Sequence, residues 1–219
     1  MPRILFEKKG NAVWISHLDL MRLFQRAFKR ADLPLTHTQG FNPRPSVSIA
    51  MPLSVGVESK CELLDFELDG VCPGTDEICT RLNEKLVEGV RVLKVYAQGE
   101  KIKNLAYLQC TLQLVYDTAV PDDAVCAIEN LFAAPELLVV KKTKNGPVEQ
   151  NIIPLIKSVK IARADAQTVT VDAMICCQNP SLNPMQMVAA IQRHIPDCAP
   201  NEVKCIRQEI YSINNEVFR

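Results

Sequence analysis

The sequence has no net charge, few glycines and no long apolar run, and each absence excludes a class of protein. Its 25 Lys and Arg balance 25 Asp and Glu, which argues against a protein that binds polyanions over its whole surface. Only 8 Gly and 14 Pro occur in 219 residues, so collagen-like and low-complexity chains are excluded. No run approaches the ~18 apolar residues that span a bilayer, and the N-terminus lacks a signal-peptide core. We therefore expect a folded cytoplasmic protein with no membrane partner.

Metal-ligand spacing is also missing among the nine cysteines. There is no Cys-x-x-Cys pair, no zinc-ribbon spacing and no Cys-x-x-x-Cys-x-x-Cys triplet of the kind that holds a radical-SAM iron–sulfur cluster. Most of the cysteines lie in apolar runs such as AMICC and YLQCTLQL, which is typical of small buried side chains. We expect no metal site, no cofactor and no disulfide framework.

The zero net charge conceals two blocks of opposite sign. Residues 1–50 carry 8 Lys or Arg against 3 acids, a net charge of +5. Residues 51–100 carry 5 basic residues against 10 acids, a net charge of −5. The position of the basic block is therefore more informative than the total.

Apolar periodicity predicts an α+β fold that is built twice. The first part should contain strands at 3–7, 12–15, 47–53, 60–69 and 90–96 and helices at 16–32 and 75–87. The second should contain strands at 106–116, 137–142, 157–162, 169–177 and 202–212 and helices at 122–132 and 183–194. The β-α-β-β-α-β order predicts two ferredoxin-like domains in tandem, 1–97 and 105–219, each an antiparallel sheet with helices packed on one face.

Four basic side chains form a stripe on the first predicted helix. They lie at i, i+4, i+7 and i+8 beside the apolar face, with no acid between Asp19 and Asp32, and they are Arg22, Arg26, Lys29 and Arg30. A solvated helix face usually mixes charges of both signs to gain i,i+4 pairs. The stripe therefore favours a phosphate-contacting surface over a merely solvated face.

The loop after this helix, LTHTQGFNPRPSVS, is the second candidate site. Two prolines stiffen it, and Gly40 permits close backbone approach to a ligand. One interpretation is a preorganised nucleic-acid recognition loop with a stacking aromatic, formed by Gln39, Phe41, Asn42 and Arg44. The other is a rigid connector with Phe41 packed in the core.

Candidate catalytic residues are few. Ser16, His17 and Asp19 lie too close together at one helix start for a nucleophilic relay, so capping explains Ser16 and Asp19. His17 or His37 could act as general base in metal-independent RNA cleavage, because an unperturbed imidazole titrates near pH 6.5. As a metal pair the two histidines lack an obvious third ligand. We expect a noncatalytic protein and keep a ribonuclease as an alternative.

Acidic and apolar residues alternate along the predicted strand 60–69. The pattern predicts one face on the core and an acidic face in water, formed by Asp65, Glu67 and Asp69. The acidic segment 58–69 could serve as the surface of a protein–protein adaptor, which is a third functional hypothesis.

The stretch from Ile15 to Leu68 carries a series of short motifs. They are Ser16-His17-Leu18-Asp19, Arg26-Ala27, Arg30-Ala31 with Leu33-Pro34, Gln39 to Pro43 with Pro45, and Pro52-Leu53 with Gly56 and Ser59. By these motifs the sequence resembles the radical-SAM-linked domain family, a bacterial domain of unknown function found alone or beside a radical SAM protein. Family members often have His at the position of Arg44 and Tyr-Ser at His37-Thr38, which weakens a catalytic role for either position.

This resemblance covers residues ~3–70 and implies a partner rather than an activity. It implies a standalone member that works with a separate radical SAM protein, in a bacterial cytoplasmic setting linked to RNA. The leading hypothesis is therefore a noncatalytic accessory or substrate-binding module for structured RNA. A metal-independent ribonuclease of duplicated ferredoxin-like type and an adaptor using residues 58–69 remain open, and the sequence names neither substrate nor oligomeric state.

Overall fold

Residues 1–143, 146–178 and 180–219 are described by the computed structural model. They form a mixed α+β fold with four α-helices and mostly antiparallel strands. Contacts divide them into unit 1, Met1–Asn104 with Phe218–Arg219, and unit 2, Leu105–Val217. Across these residues no helix combines the length and the apolar character that a membrane crossing requires.

Unit 1 has the element order β-α-β-β-α-β. Its elements are β1 (Arg3–Lys8), α1 (His17–Arg30), β2 (Val47–Ile49), β3 (Glu58–Phe66), α2 (Thr75–Asn83) and β4 (Val90–Tyr96). The strands lie in the order β4-β1-β3-β2, and each neighbouring pair is antiparallel. Arg3 at the start of β1 lies opposite Tyr96 at the end of β4.

Both helices of unit 1 cover the same face of its sheet. Alternate residues of the strands, such as Ile4 and Phe6 in β1, share one buried cluster with Phe24 of α1 and Ile78 of α2. The Phe6 and Phe24 rings meet edge to face with centroids 4.8 Å apart. Aromatic burial of this kind is the main stabilisation of a small sheet-and-helix unit.

The ends of the two helices are fixed by side chains. Ser16 caps α1 as predicted, because its Oγ accepts a hydrogen bond from the Asp19 backbone at 3.2 Å. The second helix was predicted to reach residue 87 but ends at Asn83. The Asn83 side chain bonds both the backbone carbonyl and the backbone N–H of Val92, at 2.9 and 2.8 Å, which ties the helix end to β4.

The strand predicted at 12–15 is wrong. Residues Gly10–Trp14 form a 3-10 helix instead. The buried Lys8 ammonium donates hydrogen bonds to the carbonyls of Val13 and Ile15, at 3.1 and 2.9 Å, which satisfies acceptors that a strand would pair with a neighbour. The strand predicted at 47–53 is also shorter, ending at Ile49.

The acidic face predicted for the strand at 60–69 is wrong within β3. The Arg3 guanidinium binds the Asp65 carboxylate through two hydrogen bonds, Nε–Oδ1 at 2.6 Å and Nη2–Oδ2 at 2.9 Å. Glu62 is also buried, at 1% exposure. The register places Arg3 directly opposite Asp65, so an ion pair takes the place of solvent. Glu67 and Asp69 follow the strand and are exposed.

Unit 2 repeats this strand order around an additional hairpin. Its elements are β5 (Leu105–Val115), α3 (Ala124–Phe132), β6 (Leu138–Thr143), β7 (Gly146–Asn151), β8 (Ile156–Arg163), β9 (Thr168–Cys176), α4 (Pro184–His194) and β10 (Glu202–Ser212). The order is β10-β5-β9-β8, antiparallel throughout, and β6 pairs with β7 in a separate ribbon. Leu105 at the start of β5 lies opposite Ser212 at the end of β10.

In unit 2 the β6–β7 hairpin was predicted only in part, whereas the start of α4 was predicted correctly. Sequence analysis predicted β6 but missed β7, whose residues GPVEQN include glycine, proline and a carboxylate and give no strand pattern. It placed the start of α4 correctly. Asn183 forms a capping box with Gln186, and Pro184 occupies the first turn, where its missing N–H is not needed.

Candidate functional site

One flank of α1 forms a groove with a basic wall. The groove has a volume of about 500 Å³ and is lined by Ile15, Asp19, Arg22, Leu23, Arg26, Arg30 and Val87. The i, i+4, i+8 spacing brings the three arginines to the same flank, and aliphatic side chains line the groove beside them. We call this the basic groove.

The three guanidinium groups of the basic groove differ in their partners. Arg22 pairs with Asp19 at 2.9 Å, and Arg30 donates to the backbone carbonyl of Lys85 at 2.7 Å. Among the residues that the structure describes, the Arg26 side chain makes no hydrogen bond or ion pair. Arg26 is therefore available to an incoming anion, and Arg30 is held in place by the protein.

Asp19 is the one acidic side chain in the basic groove. Hydrogen bonds from Ser16 and Arg22 lower the pKa of its carboxyl, and the charges of Arg22 and Arg26 act in the same direction. The carboxylate is therefore ionised at neutral pH. Three guanidinium groups face one carboxylate, so the groove keeps a net positive charge.

Lys29 does not join the three arginines. It lines a second cavity of about 580 Å³ on the other flank of α1, together with Gln25, Phe28, Asp32, Leu33, Pro34, Leu35, His37 and Pro45. We call this the apolar cavity, because five of its nine lining residues are apolar: Phe28, Leu33, Pro34, Leu35 and Pro45. The predicted four-residue stripe is thus divided between two sites.

The loop from Gln39 to Arg44 closes on itself and exposes its side chains. The Thr38 N–H donates to the Arg44 carbonyl at 2.8 Å, and the Arg44 N–H donates to Thr38 Oγ1 at 3.0 Å. Phe41 is fully exposed, so the interpretation that packs it in the core is wrong. Gln39, Asn42 and Arg44 are exposed as well, and in the described ranges their side chains make no hydrogen bond.

The two candidate catalytic histidines lie apart. His17 is the first residue of α1 and His37 lies beyond its last turn, and a 14-residue helix is ~21 Å long. Nδ1 of His17 is buried without a hydrogen-bond partner among the described residues, whereas His37 is exposed and lines the apolar cavity. Within the same residues, no group of three His, Cys, Asp or Glu side chains could hold a metal ion.

Sequence analysis missed two residues of the apolar cavity, Gln25 and Asp32. Gln25 looked like an ordinary polar helix position. Asp32 was seen only as the end of a helix, although its backbone is unusual, with a φ of +52°. Residue type gave no signal for Asp32, because its left-handed backbone angle, at a position where glycine is usual, is visible only in the structure.

A polar cluster on the sheet of unit 2 was also missed. It lies beside a depression of about 750 Å³, where Gln208 donates to Thr111 Oγ1 at 3.0 Å and Thr111 donates to Asp172. Tyr211 donates to Gln109 at 3.1 Å on the same strand pair. Alternation of polar residues along β5 was the signal, but these groups already satisfy one another.

Comparison with known proteins adds a family and a fold. A family model described as an uncharacterized protein conserved in bacteria (DUF2344) matches residues 2–184. No curated protein matches the sequence. A chain in the crystal structure of a Cbf5–Nop10–Gar1 complex has a TM-score of 0.53 at 8% identity, over 95% of this chain and 48% of that one. At that identity the similarity concerns the fold alone.

Two further solved structures are more distant. A chain in the structure of an H/ACA RNP bound to a substrate RNA containing 2′-deoxyuridine has a TM-score of 0.47 at 8% identity, over 94% of this chain and 46% of that one. An unknown protein from Galdieria sulphuraria has a TM-score of 0.27 at 10% identity, over 94% and 96% of the two chains. The present chain spans about half the length of the chains from the two complexes.

Proposed function

The chain belongs to the DUF2344 family of uncharacterized proteins conserved in bacteria, and from that premise we propose that it is a noncatalytic RNA-binding module. The basic groove on α1 contacts the phosphates, and the exposed loop from Gln39 to Arg44 contacts unpaired bases. The module works in the cytoplasm beside a separate radical SAM enzyme. The enzyme partner is inferred from the motifs between residues 3 and 70, and the RNA from the groove.

The observation that carries the proposal is the alignment of three guanidinium groups along one groove. Successive arginines are spaced four residues apart, about 6 Å along the helix axis, so they can follow consecutive phosphates of one strand. Guanidinium groups bind phosphate through paired N–H donors, which makes three of them in a row a phosphate-tracking surface.

The present contacts of the three arginines can be replaced or complemented by contacts to a phosphate. The Arg22–Asp19 pair is solvent-exposed, with 64% and 60% of the two side chains accessible, and such pairs contribute little to stability. Arg22 can therefore leave Asp19 for a stronger anion. Within the described residues Arg26 has no hydrogen bond or ion pair to give up, and Arg30 is already oriented by its bond to the Lys85 carbonyl.

The loop supplies the second half of the interface. Phe41 presents its whole ring to solvent, where an unpaired base can stack on it. Gln39, Asn42 and Arg44 are exposed in the same loop, and their side chains make no hydrogen bond to any residue that the structure describes. Sequence-selective RNA recognition targets unpaired loops and bulges, so a structured RNA with an unpaired segment is the expected ligand.

No specific observation favours the two alternative functions, a ribonuclease or a protein–protein adaptor. A metal-independent ribonuclease needs an acid and a base at one phosphate, and His17 and His37 lie at opposite ends of α1. An adaptor surface on 58–69 keeps only part of the predicted acidic face: Glu67 and Asp69 are exposed, but Asp65 is bound to Arg3 and Glu62 is buried.

Fluorescence anisotropy with a labelled RNA hairpin at 50–200 mM salt tests the proposal. Arg26→Gln should weaken binding about tenfold and lower the slope of log affinity against log salt by about one, because one phosphate contact is lost. Arg91→Gln is the matched control, an exposed arginine on β4 outside the groove, and it should leave both quantities unchanged. No binding by the wild type at 50 mM salt, or an equal loss in Arg91→Gln, would overturn the proposal.

We also infer that both units are ferredoxin-like and derive from one duplicated ancestor, with functional domains at 1–97 and 105–219. The shared strand order supports this: β4-β1-β3-β2 in unit 1 has its counterpart in β10-β5-β9-β8 in unit 2. The β6–β7 hairpin is then an insertion after the first helix of the second copy.

A further inference from the structure

The apolar cavity combines carbon walls with a small set of free polar groups. Its volume of about 580 Å³ lies within the range of small-molecule and cofactor sites. Four polar side chains line it: Gln25, Lys29, Asp32 and His37. Across residues 1–143, 146–178 and 180–219, none of these four side chains makes a hydrogen bond or an ion pair. Lys29, Asp32 and His37 are exposed at this cavity, and apolar lining residues with a few unused polar groups are the pattern of a ligand site.

Asp32 is the most informative of the four. It follows the C-cap of α1 with a φ of +52°, a conformation that favours glycine and disfavours a residue with a Cβ. Its carboxylate also lies at the negative end of the helix dipole, where a cation would be favoured. Asp32 is exposed and its carboxylate makes no bond within the described chain, so the fold gains no contact from an aspartate at this position. Such a residue is expected where a ligand uses it.

The chemistry of the lining selects one kind of ligand. A carboxylate offers two parallel acceptors, and guanine is the nucleobase whose Watson–Crick edge places two donors, N1–H and the 2-amino group, side by side. The rings of Pro34 and Pro45, which are exposed and half-buried, can contact the faces of a planar ring. Lys29 at the same cavity can neutralise an attached phosphate, and the Gln25 amide can donate to the guanine O6.

We propose that the apolar cavity binds a guanine base, held by the Asp32 carboxylate through N1–H and the 2-amino group. The inference deepens the proposed function and rests on it: the base is an unpaired guanine of the RNA whose phosphates follow the basic groove on the other flank of α1. A free guanine nucleotide has the same chemistry, and the experiment distinguishes the two sources.

The first test uses free nucleotides and the full chain. Calorimetric titration should show that guanosine 5′-monophosphate binds at least tenfold more tightly than inosine 5′-monophosphate, which lacks the 2-amino group, and than adenosine 5′-monophosphate. Asp32→Asn should reduce guanine preference at least tenfold, because an amide offers one acceptor instead of two. Equal binding of the three nucleotides, or none, together with unchanged RNA selectivity in the second test, would overturn the inference.

The second test uses RNA and separates this inference from the proposed function. Replacing one unpaired guanine by inosine should weaken RNA binding at least tenfold in the wild type and have no effect in Asp32→Asn. If Arg26→Gln weakens RNA binding but inosine has no effect, the cavity proposal fails and the RNA-binding function stands. If guanosine 5′-monophosphate binds through Asp32 and no RNA binds, the cavity takes a free nucleotide and the RNA-binding function fails.

Folding supplies the control for a merely structural role of Asp32. Asp32→Gly should abolish guanine binding while its thermal midpoint stays equal to or above that of the wild type, since glycine adopts the positive φ without strain. A lowered midpoint in Asp32→Gly with full guanine binding would assign Asp32 to the fold and refute the proposal.

Discussion

Replacing Asp65 by asparagine should destabilise unit 1 by about 3 kcal/mol. The Asp65 carboxylate receives two hydrogen bonds from Arg3, at 2.6 and 2.9 Å, and only 3% of the Arg3 side chain is exposed. The guanidinium also lies 5.2 Å from the centroid of the Phe218 ring. An asparagine leaves this charge buried between a strand and an aromatic ring without its counter-ion.

The magnitude follows from the burial of each partner. Removing one member of a buried pair costs about 3–5 kcal/mol, because the remaining charge is not solvated. The Asp65 side chain is 18% exposed, so water can reach the vacated site and the lower end of that range applies. For a unit of this size the urea dependence is roughly 2 kcal/mol per molar, so the midpoint should fall by about 1.5 M.

Urea unfolding followed by tryptophan fluorescence measures this loss. The single tryptophan of the chain, Trp14, lies in unit 1 and reports its unfolding. Asp69→Asn is the matched control, an exposed carboxylate beyond β3, and should change stability by less than about 0.5 kcal/mol. Arg3→Met combined with Asp65→Leu should recover most of the loss, because no charge remains buried. A midpoint shift in Asp65→Asn no larger than in Asp69→Asn would refute the reasoning.

Further predictions concern a lysine, a glycine and the thiols. Burial lowers the pKa of Lys8 from its ordinary value of 10.5, so the unfolded chain binds more protons than the folded chain between the lowered pKa and 10.5. The free energy of unfolding should therefore rise with pH in that window. Urea midpoints measured across it should show this rise in the wild type and not in Lys8→Met. Gly89 has a φ of +85°, and a Cβ added there would clash with the main-chain oxygen of Lys9. Gly89→Ala should therefore lower the free energy of unfolding by more than about 2 kcal/mol, measured by thermal unfolding. Gly70→Ala should cost about 1 kcal/mol, because nothing lies within 4 Å of the added Cβ. Burial raises the pKa of Cys110 to about 12, so iodoacetamide at pH 8 should modify the exposed Cys72 first, as mass spectrometry can show; equal modification of both would contradict it.

The spacing of apolar residues predicted helices and strands well where the buried face of an element follows that spacing. β4 begins and ends at the predicted residues, Val90 and Tyr96, because alternation along it matches a half-buried strand. The failures lie where a side-chain contact that the residue pattern does not show decides the local structure or the exposure. The apolar run after Gly10 looks like a strand, but it forms a 3-10 helix, and the Lys8 ammonium donates a hydrogen bond to its Val13 carbonyl. The acids of β3 alternate as a solvent face does, yet the register with β1 buries Asp65 against Arg3.

The candidate site also has a part that the sequence predicts and a part that depends on tertiary structure. Helical spacing was sufficient to align Arg22, Arg26 and Arg30, because an i, i+4, i+8 series lies on one flank whatever the tertiary structure. Helical spacing did not predict that Lys29 lines the apolar cavity instead of the basic groove. The walls of the apolar cavity come from 33–45 as well as from α1, and the path of that segment is set by tertiary contacts. The role of Asp32 depends on a backbone angle that residue type alone does not specify.

The antiparallel pairing of first and last strands bears on how such a protein can be assembled. Arg3 faces Tyr96 in unit 1, and Leu105 faces Ser212 in unit 2, so the first and last strands of each unit lie about 5 Å apart, and Phe218 and Arg219 belong to unit 1 as well. A module with adjoining termini can be copied, spliced into a loop of another protein or circularly permuted with a short linker, because closing so small a gap costs little chain entropy.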